Sequence, residues 1–272
     1  MYTFKTPNLI TERFLLPSGG RLYHENGNTF DGNITLRAMT TVEERMRLGS
    51  AEFYDSMVDI VNNCIVDNVN PDGTYKIDSR YLTIFDFDAI CVKLKIITYG
   101  PEYKTYAKCT KCGEIFKHVA DLRDCEFNFL PDDFQEPYDI GPLPHSGDTL
   151  GCRFLRVQDR IEIDKQVAEM KAKNPNLKGD PAYTLEMERR ITTINGEPVD
   201  SFMVKKYVES MIGMDSDYYH RKIDTDFYGV NRLGFTDCIH ANDTADSSAK
   251  CNGKAMFVIR SDGEFFRAGR DY

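Results

Sequence analysis

One pattern of residues occurs twice in this chain of 272 residues. Two gapless windows of 24 residues, 86–109 and 215–238, share six identities. The identical pairs are Asp86 and Asp215, Asp88 and Asp217, Lys93 and Lys222, Tyr99 and Tyr228, Gly100 and Gly229, and Cys109 and Cys238. This shared register predicts two related units, each of which delivers cysteines to a common place.

The first cysteine of the pattern opens a Cys-x-x-Cys knuckle that is followed by a glycine. Such a knuckle holds two thiolates on a tight turn and fills half of a tetrahedral zinc shell. The repeat makes Cys238 the equivalent of Cys109, and Cys251 the equivalent of Cys112, with twelve residues between the two late cysteines. The ligands predicted for one structural Zn²⁺ are Cys109, Cys112, Cys238 and Cys251. His240 is the alternative to either late cysteine, because imidazole is an equally good zinc ligand.

Cysteines in this arrangement also permit other uses. A Cys109-x-x-Cys112 pair can act as a thiol-redox module or form a disulfide, although redox use favours a first cysteine at a helix N-terminus. Strand-like, basic residues precede Cys109 instead. Cys64 and Cys91 fall on apolar helical stripes and are expected in the core. Zinc, disulfides and free thiols all stay open from the sequence, with zinc favoured, and Cys125 and Cys152 have no predicted role.

Composition excludes several classes of protein. A net charge of -9 is the wrong sign for unaided binding to a phosphate backbone. Residues 1–16 carry charges and a proline where a signal peptide needs an apolar stretch, and the most apolar long segment, 82–99, is interrupted by charges. We therefore expect a soluble protein that is made in a cytoplasm and binds neither membrane nor nucleic acid.

Catalytic signals are weak. The sequence contains no nucleotide-binding loop and no recognisable nucleophile arrangement, so we predict that the protein is not an enzyme. Asp86 and Asp88 resemble a metal-binding acidic pair, but a polar helix start is the favoured interpretation. Four lysines around the knuckle favour a solvated face and leave a zinc-ribbon nucleic-acid binder as a weaker hypothesis; they are Lys104, Lys108, Lys111 and Lys117.

Hydrophobic periodicity and capping signals predict the elements. A capping box at Thr41 and Glu44 starts a helix that ends near Gly49, and Ser50 caps a second helix to about Val66. Further helices are predicted over 80–99, 158–173, 181–192 and 201–212, and strands over 103–108 and 115–119. Leu155-Arg156 is expected to lead into its helix as Leu36-Arg37 does.

These elements define the expected fold. It is an α+β fold, mostly helical, with two divergent repeat halves whose short β-hairpins carry a cysteine zinc knuckle. The first half is expected to cover residues 1–125 and to end in the Cys109/Cys112 knuckle. The second is expected to cover 126–272 and to end in Cys238 and Cys251. Together they are expected to form one compact zinc-linked unit.

Several stretches resemble the baseplate-hub protein family of T-even-like contractile phages. They are Leu16-Pro17-Ser18-Gly19, residues 34–44 and 55–66, the segment from Tyr99-Gly100 to the knuckle, and residues 263–267. The resemblance is best over residues 14–122. Ser248 stands where the family's second Cys-x-x-Cys would begin, and Cys238 is the substitute ligand in our prediction.

The resemblance implies a structural role. The protein would be a part of the central baseplate hub, assembled in the host cytoplasm and retained in the virion tail. Its partners would be other hub, tube or tape-measure proteins, and a homo-oligomer within the baseplate is also compatible. A tail assembly chaperone that is not retained in the particle is the alternative.

Overall fold

The computed structural model describes residues 9–23, 30–49, 53–223, 228–239, 251–260 and 265–266. The helices in these ranges are α1 (Thr41–Gly49), α2 (Phe53–Cys64), α3 (Ile84–Tyr99), α4 (Val157–Lys173), α5 (Ala182–Arg190), α6 (Ser201–Ser210) and α7 (Gly213–Ile223). The strands are β1 (Thr11–Leu15), β2 (Asn33–Arg37), β3 (Glu102–Cys109), β4 (Ile115–Asp121), β5 (Phe127–Asn128), β6 (Tyr138–Ile140), β7 (Leu150–Cys152), β8 (Ile191–Ile194), β9 (Glu197–Pro198), β10 (Gly229–Val230), β11 (Leu233–Asp237) and β12 (Lys254–Val258).

The expected fold class, mostly helical with simple hairpins, is wrong about the proportion and arrangement of the strands. Helices account for 39% and strands for 24% of the described part of the chain, and the strands form four sheets instead of simple hairpins. Most of the strands that the sequence does not predict are only two to four residues long, namely β5 to β10. Strands this short have too few positions to show an alternating pattern, so periodicity does not reveal them.

Two of the four sheets have four strands each. One has the order β6-β7-β8-β9, and the other, which we call the cysteine sheet, has the order β11-β12-β3-β4. All neighbours in the cysteine sheet are antiparallel. The pairs β1–β2 and β5–β10 form the two small sheets. The cysteine sheet therefore joins a hairpin from residues 102–121 to one from residues 233–258.

Helix α3 is the buried centre of the main core. Thr83 caps its N-terminus and Gly100 its C-terminus, at φ 88. It begins four residues later than predicted, because residues 79–81 form a separate 3₁₀ turn. In its first turn, fully buried Asp86 accepts hydrogen bonds from the Ser18 amide at 2.9 Å and the Tyr23 hydroxyl at 2.6 Å. These contacts hold the N-terminal turn against the helix, while burial raises the pKa of Asp86.

A second buried carboxylate makes a corresponding contact in the later part of the chain. Asp215 in α7 accepts hydrogen bonds from the amides of His145 and Ser146 at 2.7 and 3.0 Å. Those two residues belong to the turn Leu143-Pro144-His145-Ser146-Gly147, which resembles the N-terminal turn Leu16-Pro17-Ser18-Gly19-Gly20 in sequence. Burial opposes ionisation of Asp215, but the two amides outweigh it and lower the pKa of this carboxyl.

An arginine clamp at a strand end also occurs twice. Arg37 pairs with Glu43, and Arg153 pairs with Asp159, in each case six residues further on. Each guanidinium also donates to the carbonyl oxygen of the next residue, at 3.1 and 3.2 Å. Each carboxylate accepts the backbone N–H three residues after the arginine, at 2.8 and 2.7 Å. The equivalent of Leu36-Arg37 is therefore Cys152-Arg153, and the predicted equivalence with Leu155-Arg156 is wrong by three residues.

The predicted capping box is displaced by one residue. The Thr40 hydroxyl accepts the Val42 amide at 3.3 Å, and the Thr40 amide donates to Glu43 at 2.8 Å. Thr40 and Glu43 thus replace the predicted Thr41 and Glu44. The predicted cap Ser50 lies outside the described residues, as do most of residues 263–267.

Within the described ranges, no helix combines the length and the apolar character that crossing a bilayer requires.

Candidate metal centre

The cysteine sheet brings the four predicted sulfurs to one end. Hairpins β3–β4 and β11–β12 lie side by side, and each delivers two cysteines where its strands turn. Cys109 ends β3 and Cys112 lies in the following turn, while Cys238 follows β11 and Cys251 precedes β12. Cys109 and Cys238 are buried, Cys251 is half-buried and Cys112 is exposed, so the cluster lies at the edge of the core.

The two hairpins share the same backbone hydrogen bond at their first cysteine. The Cys109 amide donates to the carbonyl oxygen of Glu114 at 2.8 Å, and the Cys238 amide donates to that of Gly253 at 3.0 Å. In both cases, the acceptor lies two residues beyond the second cysteine of the hairpin. Cys109 is therefore the structural equivalent of Cys238, and Cys112 that of Cys251.

Sulfur distances fit a tetrahedral thiolate site. The Sγ atoms of Cys109 and Cys251 are 3.7 Å apart, as are those of Cys112 and Cys238, and all four lie within 4.8 Å of one another. Zinc–sulfur bonds of about 2.3 Å imply sulfur–sulfur edges of roughly 3.8 Å in a regular tetrahedron. A disulfide would need about 2.05 Å. The four cysteines could therefore hold a metal ion without large rearrangement.

Backbone amides stabilise one thiolate in advance. The N–H groups of Cys112 and Lys111 point at the Cys109 sulfur at 3.5 and 3.4 Å. The Cys112 amide is the main cause that lowers the pKa of Cys109 to about 6. Burial instead raises the pKa of Cys64 to about 12 and that of Cys125 to about 11. Metals bind the thiolate, so Cys109 is suited to ligation at neutral pH while these two thiols stay protonated.

Two glycines allow the turns to meet around the sulfurs. A Cβ added to Gly253 would lie 2.8 Å from the Cys109 sulfur and 2.7 Å from Cβ of Lys111. Gly113 has φ 78, and a Cβ there would meet nothing within 4 Å. Gly253 is therefore required for close approach, and Gly113 for its backbone conformation. The sequence marks Asn252-Gly253 as a turn but does not show that this glycine borders the sulfurs of the other hairpin.

The two turns are also tied directly. Lys111 Nζ donates to the Asn252 side-chain oxygen at 2.6 Å, across 141 positions of sequence. The Thr110 amide and hydroxyl both donate to the Lys254 carbonyl, at 3.0 and 2.9 Å. The knuckle is thus bonded to the late hairpin independently of any ion.

The remaining candidates lie elsewhere. His240 falls outside the described residues. Cys64 and Cys91 are buried in the main core, as expected, and none of the eight cysteines is in a disulfide. Asp86 and Asp88 lie apart from the cysteines: Asp86 holds the N-terminal turn, and Asp88 pairs with Arg232. Asp86 lies in the first turn of α3 and Asp88 two residues further on, which agrees with a helix start, although both are buried instead of solvated.

Comparison with known proteins identifies one family. The sequence profile described as "T4 bacteriophage base plate protein" matches residues 7–173, more than half of the chain. The matched part runs from β1 to α4 and includes Cys109 and Cys112, whereas Cys238 and Cys251 lie beyond it. No curated protein and no solved structure matches the chain. On the strength of the family match, the chain belongs to the T4 bacteriophage base plate proteins.

Proposed function

We propose that this protein is a structural component of the central hub region of a contractile-tail baseplate. The observation that carries the proposal is the family match over residues 7–173, since membership makes the chain a phage baseplate protein located in the virion tail. The hub position, and contacts with hub, tube or tape-measure proteins, are the finer part of the proposal. We expect the role to be structural and not catalytic.

Zinc is the second part of the proposal. Cys109, Cys112, Cys238 and Cys251 would hold one Zn²⁺ as a four-thiolate structural site, which has no open coordination position for catalysis. The sulfur distances of 3.7 Å support this assignment. The ion would fasten a first half, 1–125, to a second half, 126–272. The duplicated arginine clamp and the duplicated carboxylate-to-turn contact support the division.

A thiol-redox module fits the geometry less well. Cys109 lies at the end of a strand and not at a helix N-terminus, and its sulfur lies only 3.7 Å from that of Cys251 in the other hairpin. A redox pair needs two sulfurs that close into a disulfide with each other. Four sulfurs that share one centre are more typical of metal ligation.

Imaging of purified tails tests the hub assignment. The native protein, carrying a small fused tag that is visible by cryo-electron microscopy, should give density on the central axis of the baseplate. Density at the periphery would contradict the hub role. A protein that is abundant in infected cells but absent from purified tails would instead be an assembly chaperone.

Elemental analysis tests the metal. We expect about one Zn²⁺ per chain in wild type and loss of that zinc in Cys251→Ser, because three thiolates leave the shell open. Cys125→Ser is the matched control, since Cys125 is half-buried and lies outside the cluster. Wild-type protein that is zinc-free after purification in zinc-containing buffer would contradict the assignment. Rapid disulfide exchange with a model substrate would favour the redox alternative.

A further inference from the structure

The outer face of the cysteine sheet carries seven large hydrophobic side chains. Side chains alternate along its strands between the core and solvent, as antiparallel pleating requires. The large hydrophobic residues on the solvent side are Tyr106, Ile115, Val119, Leu233, Phe235, Met256 and Val258, between 39% and 60% exposed. Contiguous apolar patches on a protein surface commonly mark interaction sites.

A groove of about 570 Å³ runs across this face. Tyr106, Val119, Met256 and Val258 supply its apolar surface. Lys104, Lys117 and Arg260 supply positive charge, and none of the described residues that line the groove is a carboxylate. Lysine and apolar residues face each other in register, as Lys104 opposite Val119 and Tyr106 opposite Lys117. This basic, apolar groove stands out in a chain whose net charge is -9.

The groove spans the weakest seam of the sheet. β3 and β4 pair over seven positions, and β11 and β12 over five, but β12 and β3 pair over only two. Met256 and Val258 lie on one side of that seam, and Tyr106 and Val119 on the other. A segment seated in the groove would contact both hairpins and reinforce their junction.

We propose that this groove docks a segment of another baseplate protein that carries apolar side chains flanked by aspartate or glutamate. The inference rests on the proposed function, because the partner is taken to be a neighbour in the baseplate. Charge complementarity selects an acidic occupant. A symmetric contact with the same face of a second copy would set Lys104, Lys117 and Arg260 against their own kind. The apolar lining disfavours nucleic acid, whose backbone contacts are mainly polar.

Site-specific photo-crosslinking in infected cells tests the docking. A photoreactive phenylalanine derivative replaces Val119 in the full-length protein, and Val42 in the control. Val119 is 53% exposed in the groove, and Val42 is 51% exposed on α1, so the two sites are matched in size and exposure. We expect the Val119 probe to join one segment of another baseplate protein, rich in carboxylates and apolar residues, which the Val42 probe does not reach.

Charge reversal adds a second arm. Lys117→Glu should lower the crosslink yield at Val119 by about tenfold or more, because an attractive contact becomes a like-charge one. Lys117→Arg should keep the yield, as should Lys171→Glu on the exposed surface of α4. Thermal unfolding and zinc content of each variant verify that the sheet is intact. An unchanged yield in Lys117→Glu overturns the proposal.

The crosslinked species itself is decisive. A basic segment, a second copy of this chain, nucleic acid, or the same product at Val119 and Val42 would each overturn the proposal. Particle imaging separates this result from the proposed function. If the protein resides in the hub without a groove-specific crosslink, the docking fails alone. If the crosslink forms in cells but the protein is absent from tails, residence in the hub fails and the docking stands.

Discussion

The two hairpins of the cysteine sheet reach the same sulfur geometry by different means. In β3–β4, two residues separate Cys109 from Cys112, and local hydrogen bonds close the turn, including Gly113 N–H to Cys109 O at 3.0 Å. In β11–β12, twelve residues separate Cys238 from Cys251. The first pair is positioned by its own turn. The second is positioned mainly by strand pairing, so it should depend more on the sheet and on the metal.

The inner faces of the hairpins differ in a related way. Thr105 faces His118 in β3–β4, and Gly234 faces Phe257 at the equivalent place in β11–β12. The Phe257 ring covers Gly234 and lies 4.8 Å from the His118 ring. A missing side chain in one strand thus makes room for an aromatic ring that connects the two hairpins. Because β12 and β3 pair at only two positions, such side-chain packing contributes more to the contact between the hairpins than their strand pairing does.

Metal removal should separate the hairpins most strongly. Cys251→Ser, or chelation of wild type, should lower the free energy of unfolding by roughly 3–5 kcal/mol, because the site links positions far apart in the chain. Amide hydrogen exchange should rise over 233–237 and 254–258 before it rises over 102–107. Cys125→Ser should leave the exchange pattern unchanged. Equal rates of hydrogen exchange in both hairpins after metal removal would contradict the idea that β11–β12 depends more on the metal than β3–β4 does.

The two turn glycines should respond differently to alanine. Gly253→Ala should cost about 2–3 kcal/mol and weaken metal binding, because its Cβ would press on the Cys109 sulfur and on Lys111. Gly113→Ala should cost about 1 kcal/mol from its positive φ and keep the metal, since its Cβ meets nothing. Zinc competition titration and urea unfolding measure the two effects. A Gly113 variant that loses metal more readily than the Gly253 variant would refute this assignment.

Packing between the hairpins can be tested at Gly234. A Cβ there would lie 2.1 Å from the Phe257 ring, so Gly234→Ala should displace the ring and cost about 1–2 kcal/mol. Thr105→Ala is the control at the equivalent position of β3–β4, where removal of a side chain creates no clash. Urea unfolding gives the stabilities, and the NMR shifts of His118 report ring displacement. Unchanged His118 shifts in Gly234→Ala would show that the ring does not connect the hairpins.

The smallest effect is expected from the bond between the turns. Lys111→Ala removes the 2.6 Å hydrogen bond to Asn252, which is exposed and should contribute only about 0.5 kcal/mol. Calorimetry should show a fall in melting temperature of a degree or two. Lys171→Ala controls for loss of a surface lysine. A large fall in Lys111→Ala would mean that the turns, and not the strands or the metal, hold the hairpins together.

Elements that are fixed by contacts between residues close in sequence could be predicted, and those that are fixed by distant contacts could not. The long apolar helix α3 and the 103–108 and 115–119 strands were predicted to within a few residues, because local periodicity reveals them. The capping box was misplaced because Thr40-Thr41 and Glu43-Glu44 offer it in two frames. The clamp from Arg37 selects the frame with Glu43. The helix predicted over 181–192 overlaps the first two residues of β8, because Ile191 follows α5 without a break, and only pairing with β7 and β9 makes this segment a strand.

Spacing and the internal repeat predict that Cys109, Cys112, Cys238 and Cys251 belong together and which of them are equivalent, with His240 as the alternative to either late cysteine. Their function as zinc ligands stays a prediction. Only the packed fold places β12 beside β3 and brings the Cys109 and Cys251 sulfurs to 3.7 Å, and it leaves apolar and basic side chains together on one face of the sheet. The two kinds of feature differ in how far apart in sequence the interacting residues lie. Spacing encodes the turn around each cysteine, whereas contacts between residues 142 positions apart arise only when separate hairpins pack into one sheet.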